Sequence, residues 1–225
     1  MNTKYLTEER KYREILNLNP FDAEAHYNFG NILFIEEKFE EAEKAYAEAI
    51  RINPKFADAH NAMGKLLQTY AEKPRVKYLT EWNSEIILPD PKKFSEAEKE
   101  YRKAIEIEPC YVEGHNNLAN LLFKLGRLEE AKKEYEEILK ILPNFAEAHF
   151  NLGFILFNKG NFAEAESEYR KAISIEENFA EAYEMLGAVL LKTKKTGEGL
   201  RCFDRAVFLK PELREEIEEI KRGMM

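Results

Sequence analysis

The chain has little cysteine, no long apolar run and no clustered positive charge, and each shortage closes a class of function. Cys110 and Cys202 fit neither a metal-ligand spacing nor a disulfide framework. No metal and no cofactor are therefore expected, and a reducing cytoplasm is the expected location. No apolar stretch approaches the ~18–20 residues that span a bilayer. The opening MNTKYLTEERKY lacks the apolar segment of a secretory signal, so no membrane association is expected. The net charge of −8 argues against nucleic acid, because neutralising phosphates takes grouped Lys and Arg. Nothing resembles a nucleophile elbow or a phosphate loop. No catalytic residue is expected, and the chain reads as non-enzymatic.

What the chain does have is repetition. AEAHYNFGNILF (Ala23–Phe34), ADAHNAMGKLLQ (Ala57–Gln68), VEGHNNLANLLF (Val112–Phe123), AEAHFNLGFILF (Ala146–Phe157) and AEAYEMLGAVLL (Ala180–Leu191) are variants of one block. The first four carry histidine at the fourth place: His26, His60, His115 and His149. A second block comes after each, as in FEEAEKAYAEAIRINP ending at Pro54. Starts at 23, 57, 112, 146 and 180 are 34 residues apart, except for one spacing of 55. Apolar residues at 29 and 33, and at 42, 46, 49 and 50, recur at helical spacing, giving two amphipathic helices per unit, A and B. One such pair cannot bury its apolar face alone, so units must stack.

This 34-residue pattern resembles the tetratricopeptide repeat (TPR) family. In the first unit its places are His26, Phe29-Gly30, Leu33, Ala42, Tyr46, Ala49 and Pro54. The resemblance implies an all-α fold: a right-handed α-solenoid of helix-turn-helix units in which helix A lines a concave groove. The expected organisation is a capping half-repeat at 1–22 (helix B only), repeats at 23–56, 57–111, 112–145, 146–179 and 180–211, and a capping helix at 212–225. Repeat five carries Lys194, Thr196, Gly197 and Gly199 at turn and packing places, and is expected to be the least protected.

Twenty-one extra residues enlarge the second repeat, at about 71–91. They hold the only tryptophan, Trp82, and a second KYLTE (Lys77–Glu81) that echoes Lys4–Glu8. The echo predicts a short helix around Lys77–Ile87. Val76, Tyr78, Leu79, Trp82, Ile86, Ile87 and Leu88 are too apolar to stay in water. Tyr78 and Trp82 are therefore expected to dock, first of all on the chain's own repeats, with a second copy or a partner as the alternatives.

Helix A positions 2, 5, 6, 9, 12 and 13 share one face. The candidate peptide-binding residues there are Glu24, Tyr27, Asn28, Asn31 and Phe34 in repeat one, and Asn61 and Lys65 in repeat two. Repeat three supplies Glu113, Asn116, Asn117, Asn120 and Phe123, and repeat four Glu147, Phe150, Asn151, Phe154 and Phe157. An asparagine amide both donates and accepts, so a row of them can hold an extended backbone whatever its sequence. The row resembles the asparagine ladder of the TPR superhelix of O-linked N-acetylglucosamine transferase, with breaks at Ala62 and Met185. A two-carboxylate clamp like that of co-chaperones is rejected, because position 2 is acidic in every repeat. The histidines are expected to be structural. The chain thus reads as a scaffold that grips an extended or helical segment of a neutral to basic protein. The alternative is a self-assembling module, a homo-oligomer joined through the insert or the half-repeat ends.

Overall fold

The computed structural model describes residues 3–72, 76–79, 85–88 and 90–223, with side chains for 7–72, 90–220 and 222. Among these residues are twelve α-helices and one pair of short strands. They fall in two compact units, Met1–Leu125 and Gly126–Met225. The first unit holds α1 (Thr3–Leu18), α2 (Ala23–Ile35), α3 (Phe39–Ile52), α4 (Ala57–Glu72), β1 (Val76–Leu79), β2 (Glu85–Leu88), α5 (Pro91–Ile107) and α6 (Val112–Lys124). The second holds α7 (Leu128–Ile141), α8 (Ala146–Asn158), α9 (Phe162–Ile175), α10 (Ala180–Lys192), α11 (Thr196–Leu209), a 3-10 turn (Pro211–Leu213) and α12 (Arg214–Gly223).

Three-residue links join α2 to α3, α8 to α9 and α10 to α11, so each pair folds back antiparallel. The turn ends helix A with a residue in the left-handed region, Gly160 in one case and Glu37 or Lys194 in others. The next backbone N–H then reaches back to helix A, as Lys38 does to Leu33 O at 2.9 Å. The contact that sets the distance within a pair is a glycine under an aromatic ring. A Cβ on Gly30 would lie 2.5 Å from the Tyr46 ring, one on Gly64 2.7 Å from Tyr101, and one on Gly153 2.8 Å from Tyr169. Gly187 and Phe203 repeat the arrangement at 2.8 Å. All four rings are buried.

A proline stops each B helix except α9. The residue before proline is pushed out of helical conformation: Asn53 (φ −126°, ψ 90°) and Glu108 are extended, and Leu142 is non-helical as well. Proline's own carbonyl is then taken by the histidine six residues on. His26 Nε2 lies 3.0 Å from Pro20 O, and His60, His115 and His149 bond Pro54, Pro109 and Pro143 at 3.0–3.2 Å. A carbonyl only accepts, so Nε2 donates. On the other ring nitrogen, His60 meets Glu100 and His149 meets Glu168, each at 2.6 Å. The histidines are joints between one repeat and the next.

The extra segment corrects one expectation. Val76–Leu79 and Glu85–Leu88 form an antiparallel strand pair, with Val76 opposite Leu88 and Tyr78 opposite Ile86, rather than a short helix from Lys77. VKYL and EIIL are rich in β-branched and aromatic residues. Two short segments also satisfy each other's backbone as strands, whereas an isolated helix of that length is marginal in water. The excursion closes on itself: Asp90 N–H donates to Ala71 O at 3.1 Å, and the Asp90 side chain caps α5 at Lys92 N, ahead of Pro91. The docking expected of Tyr78 and Trp82 concerns side chains outside the described residues.

In the second unit, Leu213 and Ile217 bury against Phe203, Ala206 and Ala180, with Ile220 beside them. Here the two glycines of α11 separate in role. A Cβ on Gly197 would meet only the flexible Arg201 guanidinium, at 4.0 Å, but one on Gly199 would lie 3.0 Å from Gly187 O and 3.2 Å from Leu191. Gly199 is therefore a close-approach glycine and not simply a weakness in the helix. Gly197→Ala should raise stability by about 0.5–1 kcal/mol. Gly199→Ala should lower it by about 1 kcal/mol or more, because overpacking outweighs the gain in propensity. Denaturation midpoints of the two variants should move in opposite directions; a shared upward shift would contradict the packing role.

Candidate functional site

The helix A faces of α2, α4 and α6 converge in the first unit. Tyr27, Asn31, Phe34 and Ile35 of α2, with Asp58, Asn61, Ala62 and Lys65 of α4 and Glu113 of α6, line one cavity of about 260 Å³. Tyr46 forms part of its wall from α3. A neighbouring cavity of about 280 Å³ brings Asn28, Asn31 and Ile35 together with Glu8, Lys11 and Tyr12 of α1.

The polar groups in and around the first cavity are interlocked. Tyr46, the ring that covers Gly30, donates its hydroxyl to Asn31 Oδ1 at 2.9 Å. Tyr101 does the same to Gln68 at 3.0 Å. Asn61 is buried and surrounded: it donates to Glu113 at 3.1 Å and to the Tyr111 oxygen at 3.4 Å, and accepts from Asn117 at 2.9 Å. Tyr111 in turn donates to Asp58 at 2.8 Å. Burial, with the Asp58 hydrogen bond and the Glu113 and Asp58 charges, lifts the Tyr111 phenol well above its ordinary range. Burial, opposed by the Asn31 hydrogen bond, also lifts Tyr27. Both hydroxyls thus stay protonated. Lys65 stands over the Phe34 ring, 5.8 Å from its centre.

The asparagines are consequently not equivalent rungs. Asn28 is half-buried beside an open cavity, while Asn31, Asn61 and Asn117 already serve neighbouring side chains. Asn116 turns its Oδ1 inward, where it has no described partner. Asn120 and Phe123 are half-buried on α6, and Glu24 is exposed on α2.

In the second unit, Asn151 hydrogen-bonds Tyr135, and the phenylalanines of α8 are partly structural. Phe150 lies 4.9 Å from Phe179 and 5.8 Å from Tyr169, and Phe157 meets Phe162 edge-on at 5.6 Å. Phe154 is half-buried and Glu147 exposed. Glu8, Lys11 and Tyr12 of α1 escaped the sequence reading in the second cavity, and Tyr111 and Tyr46 escaped it around the first. Tyr111 precedes helix A, so the six-position face does not include it. Tyr46 is a core residue whose hydroxyl end alone reaches the site.

Among the described residues, no helix is long and apolar enough to cross a membrane, and no group of three or more His, Cys, Asp or Glu could hold a metal ion.

Paired helices closed by a glycine under a ring, with their A faces gathered on one side of the first unit, define a helical-repeat protein. The family is given by direct comparison. Models of the TPR repeat match residues 30–69 and 119–160, and two tetratricopeptide repeat models match 146–179 and 100–133. The chain belongs to the tetratricopeptide repeat family. No match is found among curated proteins. Of solved structures, the TPR protein YrrB aligns over 93% of this chain and 97% of its own, at 20% identity and a TM-score of 0.70. MamA from Desulfovibrio magneticus RS-1 covers 84% and 96% at 15% identity and a TM-score of 0.67. PilF of Pseudomonas aeruginosa covers 90% and 88% at 20% identity and 0.65. At these identities the likeness is one of fold.

On α10, Glu184 is buried. Burial raises its pKa, the Glu216 and Glu181 charges add to the rise, and Lys210 opposes them. A raised folded-state value means that the contribution of Glu184 to stability is greatest below the unfolded pKa of about 4.3 and declines as pH rises through the folded value. Glu184→Gln should therefore be more stable than wild type at pH 7, and the difference should shrink as pH falls to about 4. Chemical denaturation across that range checks this; an advantage that grows on acidification would contradict it.

Proposed function

We propose that this chain is a protein-interaction scaffold that holds an extended or helical segment of a neutral to basic partner against the A faces of its repeats. The TPR fold itself fits a scaffold whose partners are proteins or peptides. The observation that carries the finer reading is the first cavity, where three successive A helices contribute aromatic, amide and charged groups to one concave surface. Exposed Ile35 and half-buried Phe34 offer apolar contact, and Asn28 offers an amide that can grip backbone. Asp58, Glu113 and Glu24 favour a segment bearing Lys or Arg. YrrB, similar in fold, is a TPR protein with an unusual peptide-binding site. The same reading puts the chain in a reducing cytoplasm, which suits its free cysteines, Cys110 exposed and Cys202 partly buried.

A second reading has its own observation. Leu18 and Phe21 are 89% and 70% exposed at the α1–α2 junction, and the same end carries a cavity lined by Leu16, His26, Phe29 and Ala45 together with the charged Glu41, Lys44 and Glu48. Such a surface suits self-association through the half-repeat end. Light scattering separates the two: a mass above one chain that persists on dilution favours assembly.

Peptides selected from a random display library on the immobilised chain test the first reading. Asn28→Ala and Ile35→Ser should each weaken the selected peptides by about 1 kcal/mol, roughly fivefold, and salt should weaken them further. Affinities that survive both changes, or a hydrogen-exchange footprint on α3 and α5, would remove this face from the account.

A further inference from the structure

Several carboxylates of these helices are matched with lysines that reach them from another helix or turn. Lys38 lies 2.7 Å from Glu9, Lys124 2.8 Å from Glu72, Lys195 2.9 Å from Glu166 and Lys210 2.6 Å from Glu181. Asp58 and Glu113 break the rule. They line the same cavity, yet the hydrogen bonds they receive come from neutral donors, Tyr111 and Asn61. Neither has a cation within ion-pair distance among the described residues. Lys65 lines the same cavity but stands over the Phe34 ring and not on either acid.

From this we infer that the cavity between α2, α4 and α6 is a subsite for one arginine side chain of the bound segment, a deepening that rests on the groove reading above. Each ionised carboxylate can accept about four hydrogen bonds. Asp58 and Glu113 have used one apiece, so unfilled acceptors remain on two different helices. Tyr111 and Asn61 fix them in place, since Tyr111 OH touches both Asp58 and Asn61, and Asn61 touches Glu113. A guanidinium carries five donors in a rigid fork and can serve both acids at once. An ammonium is a compact point charge that satisfies one acid better than two. The walls suit the rest of the side chain. Tyr27 offers an aromatic wall for a planar cation, and Ile35 and Ala62 line the cavity beside it for its methylenes.

The test uses the full chain and three capped nine-residue Gly/Ser peptides with a central arginine, citrulline or lysine, monitored by amide NMR shifts. Citrulline keeps the shape of arginine and removes its charge, so the comparison needs no altered protein. The arginine peptide should shift signals around Asp58–Ala62 and Glu113 saturably, bind at least tenfold tighter than the citrulline peptide, and exceed the lysine peptide. Asp58→Asn combined with Glu113→Gln should bring the arginine peptide down to the citrulline level and leave the citrulline peptide unchanged. If arginine and citrulline peptides bind these faces equally, the groove reading stands and the arginine subsite is withdrawn. If neither peptide moves any signal of α2, α4 or α6 while display-selected peptides bind elsewhere, both fall together.

Discussion

A missing Cβ sets the geometry on which the rest of this fold depends. Where helix A offers only a glycine hydrogen, the ring of the B helix can lie flat against its backbone, and the two helices come close enough to exclude water between them. Gly30 under Tyr46, Gly64 under Tyr101, Gly153 under Tyr169 and Gly187 under Phe203 are four instances of one contact. Each ring is large and buried, so its removal would open a cavity costing about 3–5 kcal/mol. Gly199 extends the same logic to the last pair, where backbone approaches backbone.

The tyrosines also connect packing to the candidate site. Their rings belong to the core, but their hydroxyls need partners and find them among the polar residues of helix A, as Tyr46 finds Asn31 and Tyr101 finds Gln68. The site's polar floor is thus held by residues that already hold the repeat together. Tyr169 shows the contrast: Phe154 stands where Asn31 stands in repeat one and Phe157 where Gln68 stands in repeat two, and the Tyr169 hydroxyl is buried without a partner among the described residues. Between repeats the equivalent device is the histidine that takes up a proline carbonyl. Proline ends one helix and histidine, six residues later, fastens the next.

Fold class was legible in the sequence because its signals are local and repeated. Apolar spacing gave the helices, and the prolines gave their ends through a steric rule that needs no tertiary context. The histidines' structural role was legible as well, since their recurrence at one register place left them no shared metal. The inserted segment was harder. KYLTE at Lys77–Glu81 matches a helical stretch elsewhere in the chain, yet its first three residues, 77–79, lie in β1, because a partner strand outweighs the weak preference of so short a segment.

By itself the sequence determined the repeat length, the helix pairs and the face on which aromatic, amide and acidic residues would stand. Only the tertiary structure decided which of those groups are still available. Asn28, Asn31, Asn61 and Asn117 look alike along the chain, but Asn61 is enclosed by Glu113, Tyr111 and Asn117 while Asn28 borders open space. Asp58 and Glu113 lie 55 residues apart in a chain full of lysines, and only folding shows that neutral donors reach them and lysines do not. Periodicity fixes direction, because it depends on the backbone alone. Hydrogen-bond partnership depends on which side chains from other helices arrive within 3 Å, and that is settled by packing.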